Sequence, residues 1–452
     1  MGARREVRRR RSAGMNPRPG PTARSVALEA IRRVVDEGAY SNLLVPALLG
    51  RSGLDGRDRA FAAELAYGTL RRLIPLDHAI EARSSRPIAR MTPGARNAIR
   101  LGAYQIAYTS VPAHAAVGET VGLVGPRERA FVNAVLRRVA DDPPPPAEGD
   151  DDDAVSHRTG LAPWAVRELR RLVGAETEAA AAAFADRGGL CIRANSPRVE
   201  IGSLIQALRD DGRDPRPSSL DPECVLLDGG DPTTLPGFRE GWFAIQDHAS
   251  AFVVRVLDPR PGEHIADVCA APGGKALHAA ALVRASGAGA VVAADRSERR
   301  VGLIRRQARR LDLSPLLVVH DATQPALAHG FDRVLVDAPC SGIGSARRRP
   351  ELLWRVDENR LTTLAGRQLR LVEAAADLVR PGGRLVYSVC TFPRAETEAV
   401  CDALLRSRGD LRPLATAGPN GTSERHRLWP HRDGSDGMFV AAFSRSSAIA
   451  AG

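Results

Sequence analysis

From Thr22 to Ala140 apolar residues recur three and four positions apart, with arginines on the opposite faces, as in "ARSVALEAIRRVVDEG" and "RERAFVNAVLRRVA". That is the period of helices burying one side, and it predicts an all-α domain over residues 22–140. Ser25, Asp58 and Thr92 stand where N-caps are expected, and Pro93 suits a first turn. The stretch "DDPPPPAEGDDDD" that follows can neither bury apolar surface nor extend a helix, and it predicts a linker over residues 141–155. Beyond it, "LAPWAVRELRRLVG" and "EAAAAAFADRG" read as helices. "LCIRANS" and "CVLLDGG" read as short strands around the helix "IGSLIQALRDDG", which predicts a small α+β module over residues 156–245.

From about residue 246 the rhythm becomes strand–helix alternation. Apolar runs in "HIADVCA", "AVVAAD", "PLLVVHD", "FDRVLVDAPC" and "GRLVYSVCTF" are separated by amphipathic stretches, and "MFVAAFS" closes the chain. The pattern predicts a doubly wound, mostly parallel α/β sheet of Rossmann-like type over residues 246–445. Ligands in such sheets sit beyond the carboxyl ends of the strands, so candidate chemistry belongs at those ends.

Composition narrows the picture. No apolar run reaches the roughly 18 residues of a spanning helix, and no apolar segment of a signal peptide follows the first arginines. The six cysteines form no CxxC pair or Cys/His spacing, so a reduced, cytoplasmic chain without metal is expected. Residues 1–21 read as a disordered Arg-rich tail, with Met15 as an alternative start. The seven arginines of the first 20 residues are roughly offset by the seven acids of 141–153, so the net charge of +11 lies in the folded body. A basic body points to a polyanionic partner, most simply nucleic acid.

Five of the predicted strand ends carry unusual residues. The first opens into Cys269, Ala270, Ala271, Pro272, Gly273, Gly274 and Lys275, a small-residue loop leading into a helix N-terminus. Lys275 is the only lysine in the chain. The loop is neither G-x-G-x-x-G nor a P-loop, which argues against a dinucleotide or a nucleoside triphosphate. Asp295 ends the second strand, where an acid can accept ribose hydroxyls, and Asp321 ends the third. Together they suit a nucleoside cofactor without phosphates, such as S-adenosylmethionine. "DAPCSGIGS" then sets Asp337 and Cys340 at one strand end and "SVCTF" sets Cys390 at the next. Cys191, Cys224 and Cys401 lie outside this pattern and read as structural, and Cys269 is expected to face inward.

"DVCAAPGGK", "VLVDAPCSGIGS", "RRRPELLWR" and "YSVCTF" together resemble the RNA 5-methylcytosine methyltransferases of the Nop2/Sun family. The helical domain, ending in "AFVNAVLRRV", resembles the NusB-type RNA-binding fold. The pairing is similar to the bacterial branch of the family that acts on small-subunit ribosomal RNA. The resemblance covers residues 22–445 apart from the acidic linker. It implies S-adenosylmethionine as cofactor, held by residues 269–275 with Asp295, Asp321 and Asp337; apart from the resemblance, a monomer is expected. It further implies that a thiolate adds to carbon 6 of cytosine, because carbon 5 alone is too weak a nucleophile. On the family motif Cys390 is that nucleophile and Cys340 assists its release. A Pro-Cys dipeptide, by contrast, favours Cys340, and residue logic alone does not order the two. Lys275 and Asp337 are expected to face the target base, where a compact ammonium and a broad guanidinium are not equivalent. Transfer RNA as substrate, or a non-catalytic assembly role, are the alternatives, and the five intact residues Lys275, Asp295, Asp337, Cys340 and Cys390 speak against the latter.

Overall fold

The computed structural model describes residues 20–284 and 289–447. Most of the tail expected over residues 1–21 therefore lies outside the described residues. The first domain is built of seven α-helices: α1 (Ala23–Asp36), α2 (Ser41–Arg51), α3 (Gly56–Arg71), α4 (Leu73–Glu81), α5 (Pro93–Tyr108), α6 (Ala113–Gly122) and α7 (Pro126–Asp141). Their apolar stripes meet in one core around Ile31, Leu65, Ile99 and Leu136, all fully buried. Two expected caps are displaced by one turn. Thr22 caps α1 in a reciprocal capping box with Ser25, and Asp55 caps α3 by accepting from the Asp58 amide. Ser25 and Asp58 are thus third helical positions, whose amides the true caps satisfy. Thr92 does cap α5, with Pro93 in the first turn.

The linker is shorter than residues 141–155. Helix α8 (Asp152–Thr159) begins inside the acidic run, where Asp151 accepts from the Ala154 amide and Asp152 and Asp153 occupy the first turn. Negative charge at a helix start offsets the exposed amides and the helix dipole, so these acids start a helix. The region expected as one α+β module also divides in two. Helices α8, α9 (Pro163–Val173) and α10 (Thr177–Phe184) share a core with the third domain, where Leu169 and Phe184 pack with Ile343, Leu353, Phe392 and Trp429. The small antiparallel sheet follows, with β1 (Leu190–Ala194), helix α11 (Ile201–Asp210), β2 (Arg216–Pro217), β3 (Cys224–Leu227) and β4 (Phe243–Ile245) in the order β2-β3-β1-β4.

The third domain opens with α12 (His248–Leu257), a helix not anticipated from the sequence. It continues through β5 (His264–Asp267), α13 (Gly274–Arg284), β6 (Ala290–Asp295), α14 (Glu298–Leu311), β7 (Leu316–Val319) and β8 (Phe331–Asp337). After the short α15 (Leu352–Arg355) come α16 (Leu361–Leu378), β9 (Val379–Val389) and α17 (Glu398–Ser407). The chain ends with β10 (Leu411–Pro413), the small hairpin β11 (Thr416–Gly418) and β12 (Gly421–Ser423), then β13 (Arg425–Leu428), α18 (Pro430–Asp433) and β14 (Met438–Arg445). The large sheet runs β10-β14-β9-β8-β5-β6-β7, with β13 also on β14. Strands β5 to β9 pair in parallel, while β14 joins β9 and β10 joins β14 antiparallel. Both faces of the sheet are covered, so the middles of the central strands are apolar: Val334, Leu335 and Val336 of β8 are fully buried. From β5 the chain winds to one side through β6 and β7, then returns to β8 and β9 on the other. That reversal opens a crevice beyond the strand ends. No helix among the described residues is long and apolar enough to cross a membrane.

Candidate active site

A cavity of about 310 Å³ lies at that reversal, walled by Val268, Ala271, Asp295, Asp337, Cys340 and Cys390 among others. Registered pairing places its chemistry. Asp337 at the end of β8 stands opposite Ser388 on β9, and the Ser388 hydroxyl donates to Asp337 Oδ1 at 2.9 Å. Lys275, in the first turn of α13, reaches across to donate from Nζ to Asp337 Oδ2 at 2.7 Å. The lysine is only 8% exposed. Burial works against its charge, but the adjoining Asp337 carboxylate outweighs that and holds its pKa above the ordinary value.

The two chains leaving β8 and β9 are tied together immediately. The Ala338 amide donates to Ser388 O at 2.9 Å, and the Gly344 amide donates to Cys390 O at 3.1 Å. A Cβ on Gly344 would stand 2.1 Å from Gly437 O and 2.9 Å from Cys390 O, so only glycine lets the 338–345 turn sit this close. The result is a Cys340 Sγ–Cys390 Sγ separation of 3.5 Å. The two thiols are not equivalent. The hydrogen bond with Cys340 lowers the Cys390 pKa, burial and Asp337 oppose it, and the cations Lys275 and Arg349 assist. The same hydrogen bond, with burial, raises Cys340. Cys390 is therefore the readier thiolate and Cys340 the retained thiol.

Of the residues singled out in the sequence, Cys269, Ala271, Pro272, Asp295, Asp321, Asp337, Cys340 and Cys390 line this cavity. Ala270, Gly273, Gly274 and Lys275 do not. Ala270 is buried and donates its amide to Ala294 O, and Lys275 stands behind Asp337, off the cavity wall, with its charge still felt at Cys390. Gly273 has φ +117° and faces Ile304 of α14, whose Cγ2 would lie 3.2 Å from an added Cβ. Its small size serves helix packing, where the sequence suggested close approach to a ligand. Gly274 abuts Gln246 at ordinary contact distance. Cys269 is half-buried, and burial together with Asp267, Asp337 and Asp295 pushes its thiol up. Cys191, Cys224 and Cys401 are buried away from the cavity. Asp321 is exposed at the cavity edge, its carboxyl held low by the Thr323 amide and hydroxyl.

Three features escaped the sequence. Glu396 is fully buried and accepts from the Ser341 amide, Gln368 Nε2 and Thr391 Oγ1, while its own carbonyl accepts from Tyr387 OH. One carboxylate thereby braces both cysteine turns, and nothing in "FPRAETE" announces it. Asp267 ends β5 as a buried acid whose Oδ2 has no partner, and burial with the nearby Asp337 charge pushes it up to about 8. A fourth acid at a strand end was the available signal. The third is a cluster away from the cavity, where ligand atoms of Asp221, Glu223 and His278 lie within 4.8 Å of one another. Asp221 is already paired with Arg255 at 2.8 Å, and Glu223 accepts from His278 with Arg193 3.8 Å away. Cations and hydrogen bonds of the protein's own thus occupy those carboxylates.

Comparison with known proteins decides the family. Residues 254–444 match the family described as 16S rRNA methyltransferase RsmB/F, and residues 21–141 match the NusB family. A Mycobacterium tuberculosis protein named only as a methyltransferase is 38% identical, over 96% of this chain and 99% of its own. The ribosomal RNA small subunit methyltransferase B of Salmonella arizonae is 32% identical, over 92% of this chain and 97% of its own. The chain belongs to the RsmB/F methyltransferase family. The solved structure of PH0851 shares the fold, with a TM-score of 0.79 and 24% identity over 94% of this chain and 98% of that one. Membership of a methyltransferase family assigns S-adenosylmethionine as the cofactor of this chain, and the cavity suits it. Asp295, 3% exposed, holds one oxygen on the Ser297 amide and keeps the other at the cavity edge near Arg300. Asp295 and Asp321 offer acceptors for hydroxyl and ammonium groups, while Val268, Ala271, Pro272, Ala322 and Leu371 offer apolar walls for a purine.

Proposed function

We propose that this RsmB/F protein methylates carbon 5 of a cytosine in 16S ribosomal RNA, in the cytoplasm and as a monomer, through a covalent bond between Cys390 and carbon 6 of the base. The observation that carries this reading is the pair of sulfurs 3.5 Å apart on the wall of one cavity, with Asp337 beside them and Lys275 paired to it from behind. A methyltransferase acting on oxygen or on an exocyclic nitrogen has no use for two thiols there.

The roles follow from the electrostatics. Cys390, held toward thiolate by Cys340, Lys275 and Arg349, adds to carbon 6 and makes carbon 5 enamine-like. Bound S-adenosylmethionine supplies an electrophilic methyl group. Carbon 5 then loses its proton to a base, and the Cys390–carbon 6 bond breaks with its electron pair returning to sulfur. Cys340 is the adjacent group placed to assist that release. Once Cys390 is a thioether, the charge that keeps Cys340 protonated is gone, so its thiol becomes easier to ionise at the stage that needs a base. Asp337, fixed by Ser388 and Lys275, is the acceptor for the cytosine amino edge. The base must leave its stack to enter, so an unpaired or stem-end nucleotide is the substrate.

Bisulfite mapping of RNA from a deletion strain and its parent tests the reading. One protected cytosine lost from 16S ribosomal RNA supports it. A loss confined to transfer RNA, or no loss at all, contradicts it.

A further inference from the structure

A second cavity, of about 220 Å³, adjoins the first and shares two of its wall residues, Cys340 and Arg349. Its far side comes from the N-terminal domain. Tyr40, the residue before α2, lines it and is 50% exposed, in a chain where aromatics make up only 4% of residues. Arg349 and Arg355 lie over that ring at 5.1 and 5.9 Å from its centre.

The placement of Tyr40 is fixed by its neighbours. Ser41 donates from its amide at 3.2 Å and from its hydroxyl at 2.5 Å to Glu351, a fully buried carboxylate. Arg355 donates to Gly38 O and Ala39 O, and Trp354 Nε1 donates to Leu70 O. The backbone on either side of Tyr40 is thus bound to the catalytic domain, while Tyr40 itself lies half-exposed on the cavity wall. The charge around it is unspent. Among the described residues neither Arg349 nor Arg360, both lining the cavity, makes an ion pair, and Arg349 Nε is buried without a partner. Asp357, the acid of the lining, is engaged by the amide and side chain of Asn359.

We propose that this second cavity seats the nucleotide adjoining the extruded cytosine, its base stacked on Tyr40 and its phosphate held by Arg349 and Arg360. The inference rests on the cytosine-5 reading and extends it: the N-terminal domain contributes a substrate-binding side chain. An exposed aromatic flanked by unpaired guanidinium groups is the combination that grips single-stranded nucleic acid. The shared Cys340–Arg349 wall places it immediately beside the reacting base.

The test compares Tyr40→Ala, Tyr40→Leu and Tyr40→Phe for methyl transfer to a 16S ribosomal RNA transcript. Tyr40→Ala and Tyr40→Leu should each lower kcat/KM for the transcript about tenfold or more, and Tyr40→Phe should stay within about twofold of wild type. Cofactor affinity and the melting temperature should be unchanged. Filter binding of the transcript to Cys390→Ala, with and without Tyr40→Ala, reads the same subsite without turnover and should show the same ratio. An indifferent Tyr40→Ala, or full activity in Tyr40→Leu, overturns the stacking role while leaving the main reading intact. A wild type that forms no 5-methylcytosine defeats the main reading, and filter binding then still decides whether Tyr40 holds RNA.

Discussion

The Cys340 and Cys390 sulfurs come within 3.5 Å because β8 and β9 end in step, Asp337 opposite Ser388, and each chain turns out of the sheet a few residues later. Parallel register therefore does for two distant segments what a helix repeat does for near ones. It also makes the pair asymmetric, since Lys275 and Arg349 favour the charge on Cys390, which in turn raises its neighbour Cys340.

That asymmetry predicts a pH profile. The acid limb of kcat/KM should have its midpoint below the roughly 8.5 of a free thiol, because Cys390 must be ionised and its pKa is lowered. Lys275→Met removes a cation and leaves Asp337 unneutralised, so the midpoint should move to higher pH. Rate measurements from pH 6 to 10 on both proteins decide it, and an unmoved midpoint would contradict the role given to Lys275.

Asp267 should affect stability with the opposite sign from a typical paired acid. Its folded pKa, near 8, lies above the ordinary carboxyl value. The folded state therefore binds more protons between about pH 4 and 8, and stability falls as pH rises through that window. Asp267→Asn keeps an oxygen for the Cys269 amide, which now donates to Asp267 Oδ1 at 3.2 Å, and removes the titration. Urea unfolding at pH 6 and pH 8.5 should show the variant gaining on wild type at the higher pH.

Glu396→Ala removes the acceptor of the Ser341 amide and of Thr391 Oγ1 in the cysteine turns and of Gln368 Nε2 in α16; Thr391 keeps Ser341 Oγ and Gln368 keeps Pro339 O, while the Ser341 amide is left with none. An unsatisfied buried group costs about 1–3 kcal/mol, less where water enters, and the two other lost bonds add to it, so a loss of about 2–4 kcal/mol is expected. Activity should fall further than stability alone explains, since the turns carrying Cys340 and Thr391 lose their brace. Denaturant unfolding alongside methyl transfer measures both.

The N-terminal domain should remain docked without its covalent link. A protease site engineered into residues 143–149 should yield two fragments that co-elute on gel filtration, because Ser41–Glu351, Arg355 and Trp354 hold the domains together. Glu351→Ala should let the cut fragments separate.

Much of this was legible in the sequence. Helical periodicity marked the first domain, and strand–helix alternation placed Asp295, Asp337, Cys340 and Cys390 at the strand ends that meet in the cavity. What was not legible depends on tertiary contact. The helix α12 and the late strands β10 to β13 were lost in short, mixed stretches. The acids of 151–153 looked like solvated linker because their value lies in capping a helix. Glu396 and Tyr40 have no local signature at all, since one acts by accepting from residues 28 and 55 positions away and the other by lying beside a domain that begins two hundred residues later.

The central claim, that Cys390 bonds to the base and Cys340 helps release it, is most directly tested by trapping. Cys340→Ala, mixed with 16S transcript and S-adenosylmethionine, should give a protein–RNA band that survives denaturing electrophoresis, and Cys390→Ala should give none and transfer no methyl. A Cys390→Ala variant that still forms the adduct and methylates, beside an inert Cys340→Ala, would contradict the account.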